Sequence, residues 1–176
     1  MADPILETAR LRLEPWTMAH LDGLCVLSAD PQVMRHLGGT KTREETLASI
    51  ERQRGYWLSR GFGWWAFIER ETEQLVGAGC IQHIAGNGDH PIEIGWRLRP
   101  DRWRRGLATE AARVMGGFAF ERLDIAVLLA LAHQENTPSQ RVMERLGMRY
   151  RGIEPWYDMD VATYEISVDE WRSRHG

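Results

Sequence analysis

The sequence predicts one mixed α/β domain, a mostly antiparallel sheet with helices on both faces, and three observations carry that expectation. Hydrophobic spacing switches repeatedly between strand-like alternation and helix-like recurrence. An Asn-Gly pair separates two strand-like runs, the signature of a tight turn in a meander. The 176 residues hold no repeat, low-complexity tract or Pro/Ser-rich linker, so residues 1–176 read as a single domain large enough to bury its own core.

Taken in order, ARLRLEPW alternates apolar and polar positions, a strand through Leu11 and Leu13 that Pro15 stops. TMAHLDGLCVLS then places Met18, Leu21, Leu24, Cys25 and Ser28 at helical spacing. Thr42 with Glu45 forms a capping-box pattern, and Leu47, Ile50, Arg54, Trp57 and Leu58 continue a second helix that Gly61 ends. After RGFG come three strand-like runs, WWAFIE, QLVGAGCIQHI and PIEIGWRL, with Asn87-Gly88 between the last two. The Trp64-Trp65 pair opens the first of them, so one ring is expected inward and the other on a groove. From Gly106 the spacing is helical again, with Leu107, Ala111, Val114, Met115 and Phe118 on one face. Gly116 and Gly117 inside that helix are expected to permit close packing. IAVLLALA suits a strand buried on both faces. A short helix follows, capped by Asn136 or Thr137, with Pro138 in its first turn and Gly147 at its stop. Residues 150–156 and 162–168 are expected to close the sheet as two strands.

Composition narrows the function classes. A formal net charge of -3 argues against a general nucleic-acid binder, and no apolar run approaches the ~18 residues of a membrane span. The first residues lack the basic and apolar regions of a signal peptide, so the expected compartment is the cytoplasm. Cys25 and Cys80 stand alone and are expected as reduced core thiols, with no spacing that suits a metal.

Against that acidic total, RPDRWRRGLATEAARV stands out, because with Arg97 five arginines fall within residues 97–105. They end at Gly106, where a helix begins. A helix N-terminus exposes unpaired amides and about half a positive charge, which makes it an anion site. Gly106 lets the backbone turn, Ala108 and Thr109 leave room, and Arg104 and Arg105 add charge. Strand, basic turn and helix thus form a pyrophosphate cradle. Neither G-x-x-x-x-G-K-[ST] nor G-x-G-x-x-G occurs, which lowers nucleotide hydrolysis and dinucleotide redox chemistry in rank.

WRRGLATEA after IEIGWRLRPD, followed by NTPSQRVMERLGMRYRG, resembles the GCN5-related N-acetyltransferase (GNAT) superfamily, in the branch of the ribosomal-protein-alanine N-acetyltransferases. LETARLRLEPW looks like the usual opening and QLVGAGCIQHI like the strand before the catalytic one, so the likeness covers nearly the whole chain. It implies a splayed sheet and an acetyl-CoA-dependent transferase without a metal. The coenzyme's pyrophosphate would lie on the amides of Arg104, Arg105, Gly106, Leu107, Ala108 and Thr109, and its pantetheine arm along Trp96 and Leu98 where two strands part. The family signature begins with Gln or Arg three residues before the glycine; here Trp103 stands there.

Acetyl transfer needs a neutral amine, and an alkyl ammonium titrates near ~10.4, an α-amino group near ~8. Glu93 is similar in position to the family's strand-borne glutamate base. Its competing role is an ion pair with Arg97 on the same strand face. A backbone N–H near Leu98 is the family-type oxyanion donor. The family's tyrosine acid has Met143 at its position, which leaves Ser139 as the substitute, and Asn136 resembles the coenzyme-contacting asparagine. Cys80 as an acyl-accepting nucleophile is the competing enzyme mechanism, and a non-catalytic acyl-CoA-binding module is the competing function. The acceptor is expected to be a small-molecule or protein N-terminal amine, with no nucleic acid or membrane partner. A homodimer is compatible with the sequence but not argued from it.

Overall fold

Local rules seen in the sequence are obeyed at the ends of the elements. In the computed structural model, which describes residues 4–176, Thr42 accepts from Glu45 N at 3.2 Å and Glu45 Oε2 accepts from Thr42 N at 2.7 Å, the capping box that starts the long helix. Gly61 ends it in the left-handed conformation, φ 78°. Asn136 caps the short helix by accepting from Ser139 N, and Gly147 stops it at φ 88°.

The elements are β1 (Leu6–Glu7), β2 (Leu11–Pro15), α1 (Leu21–Ala29), α2 (Pro31–Met34), α3 (Arg43–Arg60), β3 (Trp64–Glu69), β4 (Gln74–His83) and β5 (Ile92–Leu98). They continue with α4 (Leu107–Arg122), β6 (Val127–His133), α5 (Thr137–Leu146), β7 (Arg149–Trp156), β8 (Met159–Ser167) and α6 (Val168–His175). The eight strands form one mostly antiparallel sheet in the order β1-β2-β3-β4-β5-β6-β8-β7. Backbone contacts group the chain into two compact units, one holding the chain to Cys80 with Trp96–Val114, the other Ile81–Gly95 with Met115–Gly176.

In the first unit β2, β3 and β4 pair antiparallel, with Leu13 opposite Phe67 and Ala66 opposite Ala78. Trp16, Leu24, Leu27, Met34, Ile50 and Ile68 pack as its core. Trp65 is fully buried, while Trp64 is only partly so and packs against the core at Trp16, ring centroids 5.2 Å apart. A Cβ on Gly77 would fall 2.5 Å from the Arg97 carbonyl oxygen, so only glycine lets β4 approach the end of β5 there.

In the second unit β6 pairs antiparallel with β8 over its whole length, Val127 opposite Ser167 to His133 opposite Val161. The β5–β6 register is parallel and holds two pairs only, Glu93 with Leu129 and Ile94 with Ala130. The last four residues of β5 lie beyond those two pairs.

Three details differ from expectation. The last strand ends at Ser167 and Val168 opens α6, because Ser167 and Glu170 form a capping box that competes with the strand pattern. Asp30 and Pro31 start a one-turn helix, α2, where none was expected. Cys80 is buried, but Cys25 is only partly so and its sulfur lies 4.0 Å from Arg43 Nη1, so it is no core thiol.

Candidate active site

The five arginines divide into separate tasks. Arg99 pairs with Asp101 at 2.6 Å, and Arg102 grips both oxygens of Glu69 at 2.9 and 3.0 Å. Those two ion pairs, with Trp103 Nε1 donating to the Leu98 carbonyl at 2.9 Å, shape the turn between β5 and α4. Trp103 thus has a structural job at the position where the signature expects Gln or Arg. Arg104 and Arg105 remain exposed beside the helix start. Arg97 turns inward.

At the start of α4 the backbone is left-handed at Arg104, φ 61°, and again at Gly106, φ 78°. The first helical bond runs from Glu110 N to the Gly106 carbonyl at 3.0 Å, so the amides of Leu107, Ala108 and Thr109 precede the ladder. Glu110 is clamped from β2's side: Thr8 donates to it at 2.6 Å, Arg10 N at 2.9 Å and Arg10 Nε at 2.8 Å. Arg10 also donates to the Arg105 carbonyl at 2.9 Å, which fixes the turn from outside. Thr109 is buried and its Oγ1 has no hydrogen-bond partner among the described residues. Free amides, a left-handed turn, an orphaned hydroxyl and two exposed guanidiniums fit a diphosphate.

The second unit holds the carboxylate. Glu93 is 6% exposed, flanked on β5 by the buried Ile92 and Ile94. Tyr157 donates a hydrogen bond to Glu93 Oε1, and Gln82 Nε2 donates to the same oxygen at 3.0 Å and to the Tyr157 hydroxyl at 3.1 Å. Both bonds end on Oε1, so Oε2 is the oxygen left to take a proton. Burial pushes the Glu93 carboxyl above its ordinary range, while the bonds from Tyr157 and Gln82 pull the other way and do not cancel it. The Glu93–Arg97 ion pair weighed from the sequence does not form: Arg97 instead donates to Ser28 Oγ at 3.2 Å and Met34 Sδ at 2.9 Å.

Tyr157, like Gln82, is a residue that sequence reasoning missed. It sits with Asp158 at the two-residue tip of the β7–β8 hairpin, both left-handed at φ 54° and 57°. Such a tip usually carries Asn-Gly or Asp-Gly; two non-glycine residues there store strain, and that oddity was the available signal. On α5, Asn136 uses Oδ1 as the helix cap, which leaves its amide NH2 available. Ser139 lies in the first turn, and Met143 is 1% exposed, packed where the family's tyrosine would stand.

A family model described as an acetyltransferase (GNAT) domain matches residues 10–149. The chain is 27% identical over 175 residues to the uncharacterized N-acetyltransferase YnaD of Bacillus subtilis, spanning 94% of this chain and 98% of that one. It is 30% identical over 194 residues to the FsC-acetyl coenzyme A-N(2)-transacetylase of Aspergillus fumigatus, spanning 97% and 79%. The crystal structure of an acetyltransferase from Agrobacterium tumefaciens matches with a TM-score of 0.81 at 27% identity, covering 94% of this chain and 95% of that one. RimL, a ribosomal L7/L12 alpha-N-protein acetyltransferase solved with coenzyme A, shares the fold at a TM-score of 0.78 and 16% identity, covering 95% and 99%.

Proposed function

The chain belongs to the GNAT acetyltransferase family and is an acetyl-CoA-dependent N-acyltransferase; from that premise we propose that it moves the acetyl group directly to a primary amine, with Glu93 as the base. The observation that carries this is a buried carboxylate whose affinity for protons is raised and whose free oxygen is Oε2.

When bound, the coenzyme supplies an acetyl group activated as a thioester. The amides of Gly106, Leu107, Ala108 and Thr109 with the Thr109 hydroxyl hold its pyrophosphate, and Arg104 and Arg105 neutralise it. The end of β5 at Trp96 and Leu98, outside the β6 register, takes the pantetheine arm, and the Asn136 amide NH2 adds a contact. Glu93 takes one proton from the incoming ammonium on Oε2, leaving the nitrogen lone pair that acyl transfer requires. Tyr157 and Gln82 hold the carboxylate still while it does so. A backbone N–H beside Leu98 would face the charge that develops on the acyl oxygen, and the Ser139 hydroxyl would relay the second proton of the attacking nitrogen to the leaving sulfur, regaining its own in the same step. Cys80, 1% exposed, is poorly placed to carry the acetyl group itself, which favours direct transfer.

Glu93→Gln is isosteric and keeps an acceptor for Tyr157. It is expected to retain coenzyme affinity by calorimetry while kcat/KM for the best amine of a panel falls about 10²- to 10⁴-fold. Undiminished turnover in that variant removes Glu93 from the base role, and coenzyme binding without turnover of any amine turns the assignment toward a binding module.

A further inference from the structure

Arg10, in the turn between β1 and β2, aims its whole side chain at the start of α4. Its Nε donates to Glu110 Oε2 at 2.8 Å, its Nη2 lies 2.6 Å from the same oxygen, and its Nη1 donates to the Arg105 carbonyl at 2.9 Å. Its backbone N donates to the other oxygen of Glu110 at 2.9 Å, where the Thr8 hydroxyl also donates at 2.6 Å. The turn that carries Arg10 is itself held: Arg70 donates through Nη1 to the Thr8 carbonyl and through its backbone N to the Arg10 carbonyl, both at 2.9 Å. All of these residues belong to the first unit.

Two consequences follow for an anion at that helix start. The first concerns charge. Glu110 is the acid in the first turn of α4, a place that ordinarily suits a carboxylate but here is shared with the amides that precede the ladder. Burial pushes its carboxyl up, yet the bonds from Thr8 and Arg10 outweigh burial and hold it below the usual carboxylate range, so it is ionised at neutral pH. Left without a cation, that charge repels a diphosphate seated on the same turn. The second consequence concerns direction. In a trans peptide the carbonyl and the N–H point opposite ways, so drawing the Arg105 oxygen toward Arg10 turns the Gly106 N–H away from it. Arg104 and Gly106, on either side of that peptide, are both left-handed and outside any regular ladder, which leaves the bond from Arg10 to set its tilt. The side chain of Arg10 is 49% exposed, and an ion pair so open to water adds little to the stability of a fold.

We propose that Arg10 is a positioning residue for the coenzyme, one that cancels the charge of Glu110 and aims the Gly106 amide so that the start of α4 accepts a diphosphate. Three nitrogens of its guanidinium are already engaged with protein acceptors, so it acts through Glu110 and the Arg105 peptide. The proposal rests on the reading of this turn as the pyrophosphate cradle, and it is independent of which group removes the proton from the acceptor.

The test is calorimetric titration of coenzyme A into the full chain and its variants, with acetyl-CoA and acetylpantetheine, which lacks the diphosphate, compared as acyl donors. Arg10→Gln is expected to raise the Kd for coenzyme A and the KM for acetyl-CoA about 10- to 100-fold, leaving kcat and the kcat/KM for acetylpantetheine unchanged. The melting temperature of the unliganded variant should stay within about 2 °C of wild type. Adding Glu110→Gln to Arg10→Gln removes the uncancelled charge and is expected to restore part of the lost affinity. Arg10→Lys keeps the charge but cannot reach Glu110 and the Arg105 carbonyl together; it retains part of the affinity and serves if the glutamine variant does not fold. Unchanged affinity in Arg10→Gln and Arg10→Lys, a loss that Glu110→Gln does not relieve, or an equal loss with acetylpantetheine each overturns the positioning role. Wild type that binds coenzyme A while the Arg10 variants bind it as well leaves the cradle standing without Arg10. Wild type that does not bind coenzyme A sinks the cradle, and the role of Arg10 with it.

Discussion

Tyr157 is a single hydroxyl with a measurable consequence. Its hydrogen bond favours the ionised form of Glu93 and so opposes the rise that burial causes. Tyr157→Phe removes that opposition, and the Glu93 carboxyl rises further. A base must be deprotonated to act, so the acid limb of the kcat/KM profile is expected to move to higher pH in Tyr157→Phe, with activity recovered at alkaline pH. A uniform loss of rate with an unmoved limb would assign Tyr157 to substrate contact instead of holding the base. Glu93 was legible from the sequence because strand alternation before a basic turn marks its place. Tyr157 was not, because 64 residues separate the two and only the strand order β5-β6-β8-β7 brings the hairpin toward Glu93.

Among the elements, α4 follows one glycine, Gly106, proposed to serve the ligand, and contains another, Gly116, that serves packing. Gly106 has open space around a hypothetical Cβ, the nearest atom being Arg10 Nη2 at 3.6 Å, so its requirement is the left-handed backbone alone. Gly116 is the reverse: a Cβ there would fall 2.4 Å from the Trp171 ring of α6, itself 7% exposed and stacked on Phe120. Gly116→Ala is therefore expected to destabilise by about 1–3 kcal/mol in denaturant unfolding, the range for overpacking, where an exposed helical glycine would gain stability from the same change. The sequence predicts Gly116 and Gly117 packed closely on the sheet; Gly116 meets α6 instead, and a Cβ on Gly117 would have nothing within 4 Å. That partner was not legible, because α6 itself went unread behind a strand-like pattern that its capping box interrupts.

For the whole molecule the coenzyme is a stabilising ligand. At one hundred times its Kd, acetyl-CoA is expected to add about 2.7 kcal/mol to the stability of the fold. For a chain of this length that corresponds to roughly 5–10 °C in melting temperature. Gly106→Ala should lower the stability of the unliganded fold by about 1–2 kcal/mol, the strain of a left-handed alanine. It should also shrink the ligand-induced shift, because the amides no longer converge. A full shift in that variant would place the pyrophosphate elsewhere. No described helix is long and apolar enough to cross a membrane.

What the sequence determined alone is local: where helices begin and end, which strands alternate, the anion-ready start of α4, and a glutamate on the preceding strand. These follow from capping, periodicity and backbone freedom, which act over a few residues. Tertiary structure decided the assignments that depend on what arrives from far along the chain. Arg97, Arg99 and Arg102 are alike in the sequence, yet two meet carboxylates of Glu69 and Asp101 while the third meets a serine, a methionine and a tryptophan. A charge is satisfied or left wanting only by its neighbours in space, and no spacing rule within the run could tell the three apart.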